Sequence, residues 1–483
     1  MQLRHSPASP HPLIRNSAML VGVELLSKVL GLMFFIVMAR YLGAEELGIY
    51  AFALTLANFF AIGPRFGFEK LVQREVGKTG QLLRGTLLEL TAVKGILSLV
   101  AMSALFLTLR LVLPMHTLSG MLISSFVFAY AYLEFLNAIF RGLQRPEYEV
   151  VSRSLFSSVN LAVGLVALVA GGRLAAIALG QVGSVTVAVT ASLLILREYC
   201  QESIPNYGWK RLQDHVKKAA PLGGVLVALY FSNQMGILVL GTIAGEWEAG
   251  YFAAAMRVFD NLTLVAAAVM GAFLPRASNL YQGPPEVFSR ACECVTGQIF
   301  ALALPMGLGL AILAEPIVDL LYGPAFSPSV GSMRVLGLTL CFSYWNYLAD
   351  SLLIATDREG LLFRLTCIAA AVHVVSNVVL VSLYIQLGAA LAVAVTQVSY
   401  CILLTFHIRD CLSLNRLGEL LWRPALCTLG MAGGVYWMQD IHVLYRVFLG
   451  AAFYGGGMFL TGAFPVGDWL TAWKTWTEKS SEK

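Results

Sequence analysis

The chain has 483 residues, of which 58% are hydrophobic and only 13% are charged. A soluble domain carries about 25% charged residues, so this composition excludes a soluble globular protein. The apolar runs are too long and continuous for the strands of an outer-membrane barrel. The formal net charge of +5 arises from basic residues that are spread along the chain, so we expect no nucleic-acid partner.

The N-terminus, MQLRHSPASPHPLIR, is polar and lacks an apolar core, so we expect no cleaved signal peptide and a first span that serves as signal and anchor. Fourteen apolar runs follow, most about 20 residues long, which suffices to cross a hydrocarbon core of roughly 30 Å. The predicted spans are 17–39, 47–68, 85–109, 119–140, 151–170, 174–196, 222–243, 249–274, 296–321, 333–355, 361–385, 387–407, 424–437 and 443–464. The sequence therefore predicts an all-α polytopic membrane protein.

An internal repeat divides these spans into two halves. The segment Ala39–Ala53 returns 202 positions later as Gly241–Ala255 and matches Gly43 with Gly245, Glu46 with Glu248 and Gly48 with Gly250. Both copies bridge the first two spans of a half, and duplicated halves are typical of transporters. The predicted domains are an N-terminal tail 1–16, an N-lobe 17–196, a linker 197–220, a C-lobe 221–408, a connector with a peripheral helix pair 409–464, and a tail 465–483.

The basic residues predict the orientation in the membrane. With a cytoplasmic N-terminus, 22 of the 33 Lys and Arg residues fall in inside segments and 4 in outside loops. This asymmetry follows the positive-inside rule, so we expect both termini to be cytoplasmic. Two longer inside loops, Lys70–Arg84 and Arg197–Ala220, are either amphipathic helices lying on the membrane surface or solvated connectors. The outside loops are too short to hold a separate domain.

Seven basic residues lie within predicted spans, and a lipid-exposed charge at that depth costs about 2.5–3.5 kcal/mol. They are Lys28, Arg65, Lys94, Arg153, Arg257, Arg364 and Arg446. We interpret Arg446 as an interfacial anchor and the other six as candidates for binding an anionic substrate. The alternative is local pairing or snorkelling: Lys28 can pair with Glu24 and Arg257 with Asp260, whereas Lys94 needs an anionic partner on another helix.

Five further titratable residues at membrane depth are candidates for coupling to H⁺ or Na⁺, or for neutralising nearby Arg and Lys. These are Glu24, Glu134, Asp260, Asp350 and His373. Burial favours the neutral form of a carboxylic acid, so such a group can load a proton near neutral pH.

Catalytic signatures are missing from the sequence. It contains no HExxH, GxSxG or P-loop motif and no Cys/His cluster with metal-ligand spacing. We therefore expect that the protein is not an enzyme and binds no cofactor or metal. Any energy for transport should come from an ion gradient or from a separate subunit.

The opening segment Ser17–Val76, with ARYLGAEELGIYAFA and GFEKLVQRE as its most characteristic parts, resembles the Wzx-like flippases. These form the polysaccharide branch of the multidrug/oligosaccharidyl-lipid/polysaccharide exporter superfamily. The resemblance implies two six-helix lobes around a central cavity that works by alternating access. It also implies an undecaprenyl-diphosphate-linked oligosaccharide as substrate, for O-antigen or exopolysaccharide synthesis, in the bacterial inner membrane.

Other functions stay open at this point. An ion-coupled exporter of organic cations favours an acidic, aromatic-lined cavity, whereas here basic residues outnumber acidic ones within the spans. A polysaccharide polymerase or ligase needs a large outside loop, and a non-transporting scaffold leaves the buried charges unexplained. For the flippase, the expected partners are membrane lipids, the lipid-linked substrate and polysaccharide assembly proteins.

Overall fold

The computed structural model describes residues 10–79, 82–201, 234–409 and 414–462, and it confirms the predicted all-α fold. The helices are α1 Pro10–Arg65, α2 Phe68–Thr79, α3 Arg84–Val112, α4 Thr117–Gly142, α5 Pro146–Val169, α6 Leu174–Arg197, α7 Gln234–Ile243 as far as it is described, α8 Glu246–Tyr281, α9 Pro285–Ile312, α10 Ala314–Tyr322, α11 Ser329–Ala355, α12 Glu359–Ile408, α13 Leu414–Trp437 and α14 Val443–Leu460. Short 3₁₀ helices cover Pro114–His116 and Pro324–Phe326, and two-residue strands cover β1 Leu82–Leu83 and β2 Cys200–Gln201.

Two helices are much longer than one membrane span. A straight helix of the 56 residues in α1 would measure about 84 Å, nearly three times the thickness of a hydrocarbon core. Each long helix is kinked at one non-helical residue, Gly43 in α1 with φ 76° and Ile385 in α12 with φ 53°. The first and second predicted spans, and likewise the eleventh and twelfth, are thus the two arms of one kinked helix.

Nine helices in the described part of the chain are long and apolar enough to cross a bilayer, which makes this a multi-pass membrane protein. The count of fourteen spans stays a prediction. The ninth predicted span, 296–321, is interrupted in the structure because α9 ends at Ile312 and α10 begins at Ala314. Pro316 explains the break, since it has no N–H to donate to the carbonyl four residues earlier.

Helix α2 occupies most of the first of the two longer loops that the sequence predicts to lie inside. Its apolar residues Phe68, Leu71, Val72 and Val76 are buried in one cluster with residues of α3 and α4, whereas Lys70 on the opposite face is exposed. This loop therefore forms an amphipathic helix, as in the first of its two predicted alternatives, and its apolar face packs on α3 and α4. Its position at the membrane surface stays a prediction. Just beyond α2, strand β1 pairs in parallel with β2. Most of the second long loop lies outside the described residues.

The predicted repeat has a structural counterpart in α1 and α8. Its matched glycines, Gly43 and Gly245, have φ values of 76° and 89°, a left-handed conformation that costs glycine least. The helical segments that follow these glycines touch through Gly48 and Gly250. A Cβ atom on Gly48 would collide with the carbonyl of Glu246, so the two backbones are in direct contact there.

The chain divides into two compact units, which consist of residues 1–257, 321–326 and 373–389, and of residues 258–320, 327–372 and 390–483. In the second unit, α13 and α14 pack on α9, where the Tyr454 hydroxyl donates a hydrogen bond of 2.7 Å to the Ala301 carbonyl. The lobe boundaries drawn from the sequence stay a prediction, because most of the linker 197–220 is not described.

Candidate functional site

Helices α1, α4 and α5 of the first unit pack together, and each contributes three residues at i, i+3 and i+4 to the wall of one cavity. Because residues at this spacing share a helix face, each triplet forms a short stripe. The triplets are Glu24, Ser27 and Lys28 on α1, Tyr130, Leu133 and Glu134 on α4, and Arg153, Phe156 and Ser157 on α5. The cavity has a volume of about 360 Å³, and we call it the α1/α4/α5 cavity.

An ion-pair network holds the α4 and α5 sides of this cavity. Arg153 donates through Nη2 to Glu134 Oε2 and through Nε to Glu149 Oε1, both at 2.9 Å. Glu149 also accepts a hydrogen bond of 2.5 Å from Arg141 Nη1. Glu149 is only 2% exposed, so its carboxylate is largely shielded from water and binds two guanidinium groups. The network fixes Arg153 in place and compensates its charge.

Lys28 differs from Arg153 in its surroundings. In the part of the chain that the structure describes, no carboxylate lies within 4.0 Å of its ammonium group, although Glu24 lies one turn away on the same helix. The described residues thus show no Lys28–Glu24 ion pair at that distance, and the roles of Lys28 and Glu24 stay predictions. Among the sequence candidates, the structure brings Lys28, Glu24, Glu134 and Arg153 together at one cavity.

Lys94 does not line this cavity. Its ammonium group forms an ion pair of 3.1 Å with Glu69 on α2 and donates a hydrogen bond of 2.9 Å to the Pro64 carbonyl. The expectation of an anionic partner on another helix is confirmed. Arg65 is half-buried at the end of α1, where its Nη1 lies 3.4 Å from the Asn58 side-chain oxygen. We do not retain Lys94 as a substrate-binding candidate.

Arg257 on α8 belongs to the first unit but is not among the residues that line the cavity. Its guanidinium carbon lies 5.2 Å from the centre of the Phe35 ring, an arrangement that permits a cation–π interaction. Arg364 is exposed near the start of α12. Arg446 is not an exposed interfacial anchor: it is buried, and its Nη2 donates a hydrogen bond of 3.1 Å to the Val435 carbonyl near the end of α13.

The acidic and histidine candidates are dispersed. In the second unit the half-buried Asp350 accepts a hydrogen bond of 2.7 Å from the Tyr400 hydroxyl, and Asp260 is exposed. In the first unit the buried His373 contacts the side-chain amide of Asn377 at 3.1 Å. Asp260 and Asp350 thus belong to the second unit, whereas His373 belongs to the first unit, as do Glu24 and Glu134.

Sequence reasoning missed the uncharged residues of the cavity and the buried Glu149. A search for charge inside spans cannot find Tyr130, Phe156 or the two serines, because aromatic and small polar residues are common in membrane helices. Their spacing from charged residues was an available signal, since Tyr130 precedes Glu134 by four residues and Phe156 follows Arg153 by three.

Comparisons with known proteins identify relatives of the chain. The family model described as polysaccharide biosynthesis protein matches residues 13–281, which is more than half of the chain. The probable low-salt glycan biosynthesis flippase Agl15 of Haloferax volcanii is 22% identical over 46% of this chain and 48% of its own length. The capsular polysaccharide biosynthesis protein CapF of Staphylococcus aureus is 23% identical over 35% of this chain and 45% of its own length. The chain thus spans about half the length of the curated relatives that it matches.

Solved structures share the fold over most of the chain. The lipid II flippase MurJ in an inward closed conformation has a TM-score of 0.73 at 14% identity and covers 92% of this chain and 98% of its own. A multidrug resistance MATE family transporter of the MOP superfamily, in an inward-facing conformation, has a TM-score of 0.58 at 13% identity and covers 80% of this chain and 95% of its own. At these identities the likeness shows the fold alone.

Proposed function

Because the chain belongs to the polysaccharide biosynthesis protein family, we propose that it flips a polyprenyl-diphosphate-linked oligosaccharide from the cytoplasmic to the outer leaflet. The observation that carries this proposal is the polar α1/α4/α5 cavity, whose walls belong to helices long and apolar enough to span a membrane. A sugar diphosphate cannot enter hydrocarbon without losing its hydrogen bonds to water, and polar groups at membrane depth replace them.

Lys28 is the residue that we assign to the diphosphate. Lys28 lines the cavity, and its ammonium group has no carboxylate within 4.0 Å in the described residues, so we expect its charge to be available to an anion. Arg153 is less suited to this role because two carboxylates already bind it. The polyprenyl tail stays in the bilayer during alternating access, so only the headgroup needs a polar route.

The remaining features of the proposal concern the setting of the protein. It is a transporter that makes and breaks no covalent bond, located in a bacterial inner membrane with both termini in the cytoplasm. Its product in the outer leaflet is the substrate of polysaccharide assembly proteins, which are the partners we expect. Asp350, hydrogen-bonded to Tyr400, is the candidate for loading a coupling H⁺ or Na⁺.

An exporter of organic cations is the second candidate function. The likeness to a multidrug transporter fold is compatible with it, and so is Asp350, whose side chain has no Lys or Arg within 4.0 Å in the described residues. The exposed aromatic Tyr347 lies three residues before Asp350 on α11, which places both on one face of that helix. Transport assays with the two substrate classes separate these functions.

Flipping is tested with purified protein in liposomes that contain a short-chain polyprenyl diphosphate bearing a fluorescent N-acetylglucosamine. Dithionite added outside the liposomes quenches only probe molecules in the outer leaflet. A probe molecule in the inner leaflet is quenched only after it crosses the bilayer. With the wild-type protein we expect dithionite to quench nearly all of the probe. Lys28→Gln should slow this crossing about tenfold, the effect of losing one charge-assisted contact of about 1.4 kcal/mol.

Lys78→Gln is the matched control, because Lys78 is exposed on α2 and does not line the cavity. Its crossing rate should equal that of the wild type. If the fraction of probe that dithionite cannot quench is the same in liposomes with and without protein, the flippase proposal is wrong. Gradient-driven uptake of ethidium by the same liposomes would then favour the exporter.

A further inference from the structure

Charge pairing on the α4 and α5 sides of the cavity limits the ligand that fits there. The Arg153 guanidinium donates through Nη2 to Glu134 and through Nε to Glu149, each at 2.9 Å. Arg141 supplies the second positive charge on Glu149, so this network of two acids and two bases is neutral as a whole. A dianionic diphosphate would gain little from a cation that is already compensated. This side of the cavity therefore suits an uncharged polar group.

Aromatic rings lie next to that network. The ring centroids of Tyr130 and Phe156 are 5.0 Å apart, and Phe126 stacks on Phe156 at 6.1 Å with an interplanar angle of 14°. Phe126, Tyr130 and Glu134 follow each other at intervals of four residues, so the rings and the carboxylate share one face of α4. An apolar ring surface beside a carboxylate matches a pyranose, which has an apolar C–H face and a rim of hydroxyl groups.

Two buried polar atoms of the cavity wall are available as hydrogen-bond partners. Glu134 Oε1 and Ser27 Oγ are shielded from solvent, and neither has a hydrogen-bond partner among the described residues. A buried polar atom without a hydrogen bond is unfavourable, and ligand hydroxyl groups would offset that cost. The volume of about 360 Å³ is at the lower end of the roughly 300–1,000 Å³ that is usual for small-molecule sites. The cavity thus has room for one or two sugar rings rather than a long glycan.

We propose that the α1/α4/α5 cavity is a sugar subsite that takes an uncharged pyranose of the lipid-linked substrate, the one next to the diphosphate. Phe156 and Tyr130 pack against the C–H face of the sugar, while Glu134 Oε1 and Ser27 Oγ accept hydrogen bonds from its hydroxyl groups. Lys28, on the same helix face as Ser27, contacts the diphosphate. This inference rests on the proposed function and adds where in the protein the sugar is recognised.

The test compares two probes on the full-length purified protein. One is a short-chain polyprenyl diphosphate with no sugar, and the other is the same lipid bearing a single N-acetylglucosamine. Phe156→Leu and Ser27→Ala should each weaken binding of the sugar-bearing probe and leave the Kd of the sugar-free probe unchanged. For Phe156→Leu we expect the Kd of the sugar-bearing probe to rise about tenfold. Lys28→Gln should weaken binding of both probes.

Two matched controls are available in neighbouring positions. Ser158→Ala alters an exposed serine adjacent to the cavity wall, and Phe106→Leu alters an exposed ring on α3. Both should bind the two probes as the wild type does, and thermal unfolding in detergent identifies any variant that fails to fold. If Phe156→Leu and Ser27→Ala fold and change both probes equally, or neither, the sugar subsite is wrong while the flippase proposal stands. If the wild type binds neither probe, the proposed function itself fails.

Discussion

Lys94 is only 3% exposed, yet its ammonium group has several partners. It pairs with Glu69, donates to the Pro64 carbonyl and lies 5.0 Å from the centre of the Phe135 ring. A buried cation is tolerated when its charge and its protons are both satisfied in this way. The charge of Lys94 is thus satisfied within the fold and is not free for a substrate.

Removing the anionic partner of Lys94 should destabilise the protein strongly. Glu69→Gln leaves a buried ammonium without its countercharge, and we expect the free energy of unfolding to fall by about 3 kcal/mol, measured by denaturant titration in detergent. The double variant Lys94→Met with Glu69→Gln should recover part of this loss. Glu315→Gln is the control, because the Arg334–Glu315 pair is exposed and should contribute less than about 1 kcal/mol. Equal effects of both Gln variants would contradict this account.

Glu149 should act as a positioning residue for Arg153. Glu149→Gln keeps the shape of the side chain but removes the charge that binds two guanidinium groups, so we expect a loss of about 2–3 kcal/mol in unfolding free energy. It should also weaken binding of the sugar-bearing probe, because a displaced Arg153 no longer holds Glu134, which the proposal places against the sugar. Glu147→Gln, two residues earlier in an exposed pair with Arg145, should do neither. Undiminished stability of Glu149→Gln would show that the network is not needed.

At the scale of elements, the contact between α1 and α8 depends on residues without side chains. Gly48 and Gly250, matched in the repeat, allow backbone atoms to meet where any Cβ would collide. Small residues are the usual means by which membrane helices approach closely, because dispersion and weak polar contacts replace the hydrophobic effect there. The repeat thus explains why both helices carry glycine at the same point.

Gly48→Ala should test this contact. The added methyl group would overlap the Glu246 carbonyl, so we expect a loss of about 2 kcal/mol or more in unfolding free energy. Gly95→Ala is the control in α3, where a Cβ has no neighbour within 4 Å and better helix propensity should give a gain of up to about 1 kcal/mol. A stable Gly48→Ala protein would mean that α1 and α8 do not touch there in solution.

At the scale of the whole molecule, the distribution of Lys and Arg predicts which loops face the cytoplasm. Glu147 lies in the first turn of α5, at the end predicted to be inside, and Arg173 follows α5 in a loop predicted to be outside. The side chains of both residues are exposed. In a cysteine-free background, Arg173→Cys should react with a membrane-impermeant maleimide on intact cells. Glu147→Cys should react only after permeabilisation. The reverse pattern would invert the orientation, and labelling of both positions would mean that α5 does not span.

Some features of this protein follow from the sequence alone. Apolar content and run length decide that the chain is helical and membrane-embedded, because a bilayer imposes its thickness on each segment separately. The opening segment indicates the family. The loop at α2 is amphipathic in sequence, although what covers its apolar face depends on α3 and α4.

Only the tertiary structure decided which charges meet. Lys28 and Glu24 share a helix face without pairing, whereas Arg153 pairs with Glu134, 19 residues away on another helix, as well as with Glu149. Tyr130 and Phe156 likewise come into contact only because α4 packs against α5, and their ring centroids are then 5.0 Å apart. Sequence spacing determines which residues share a face of a single helix. Whether two faces meet depends on how the helices cross, and that is set by packing over their full length.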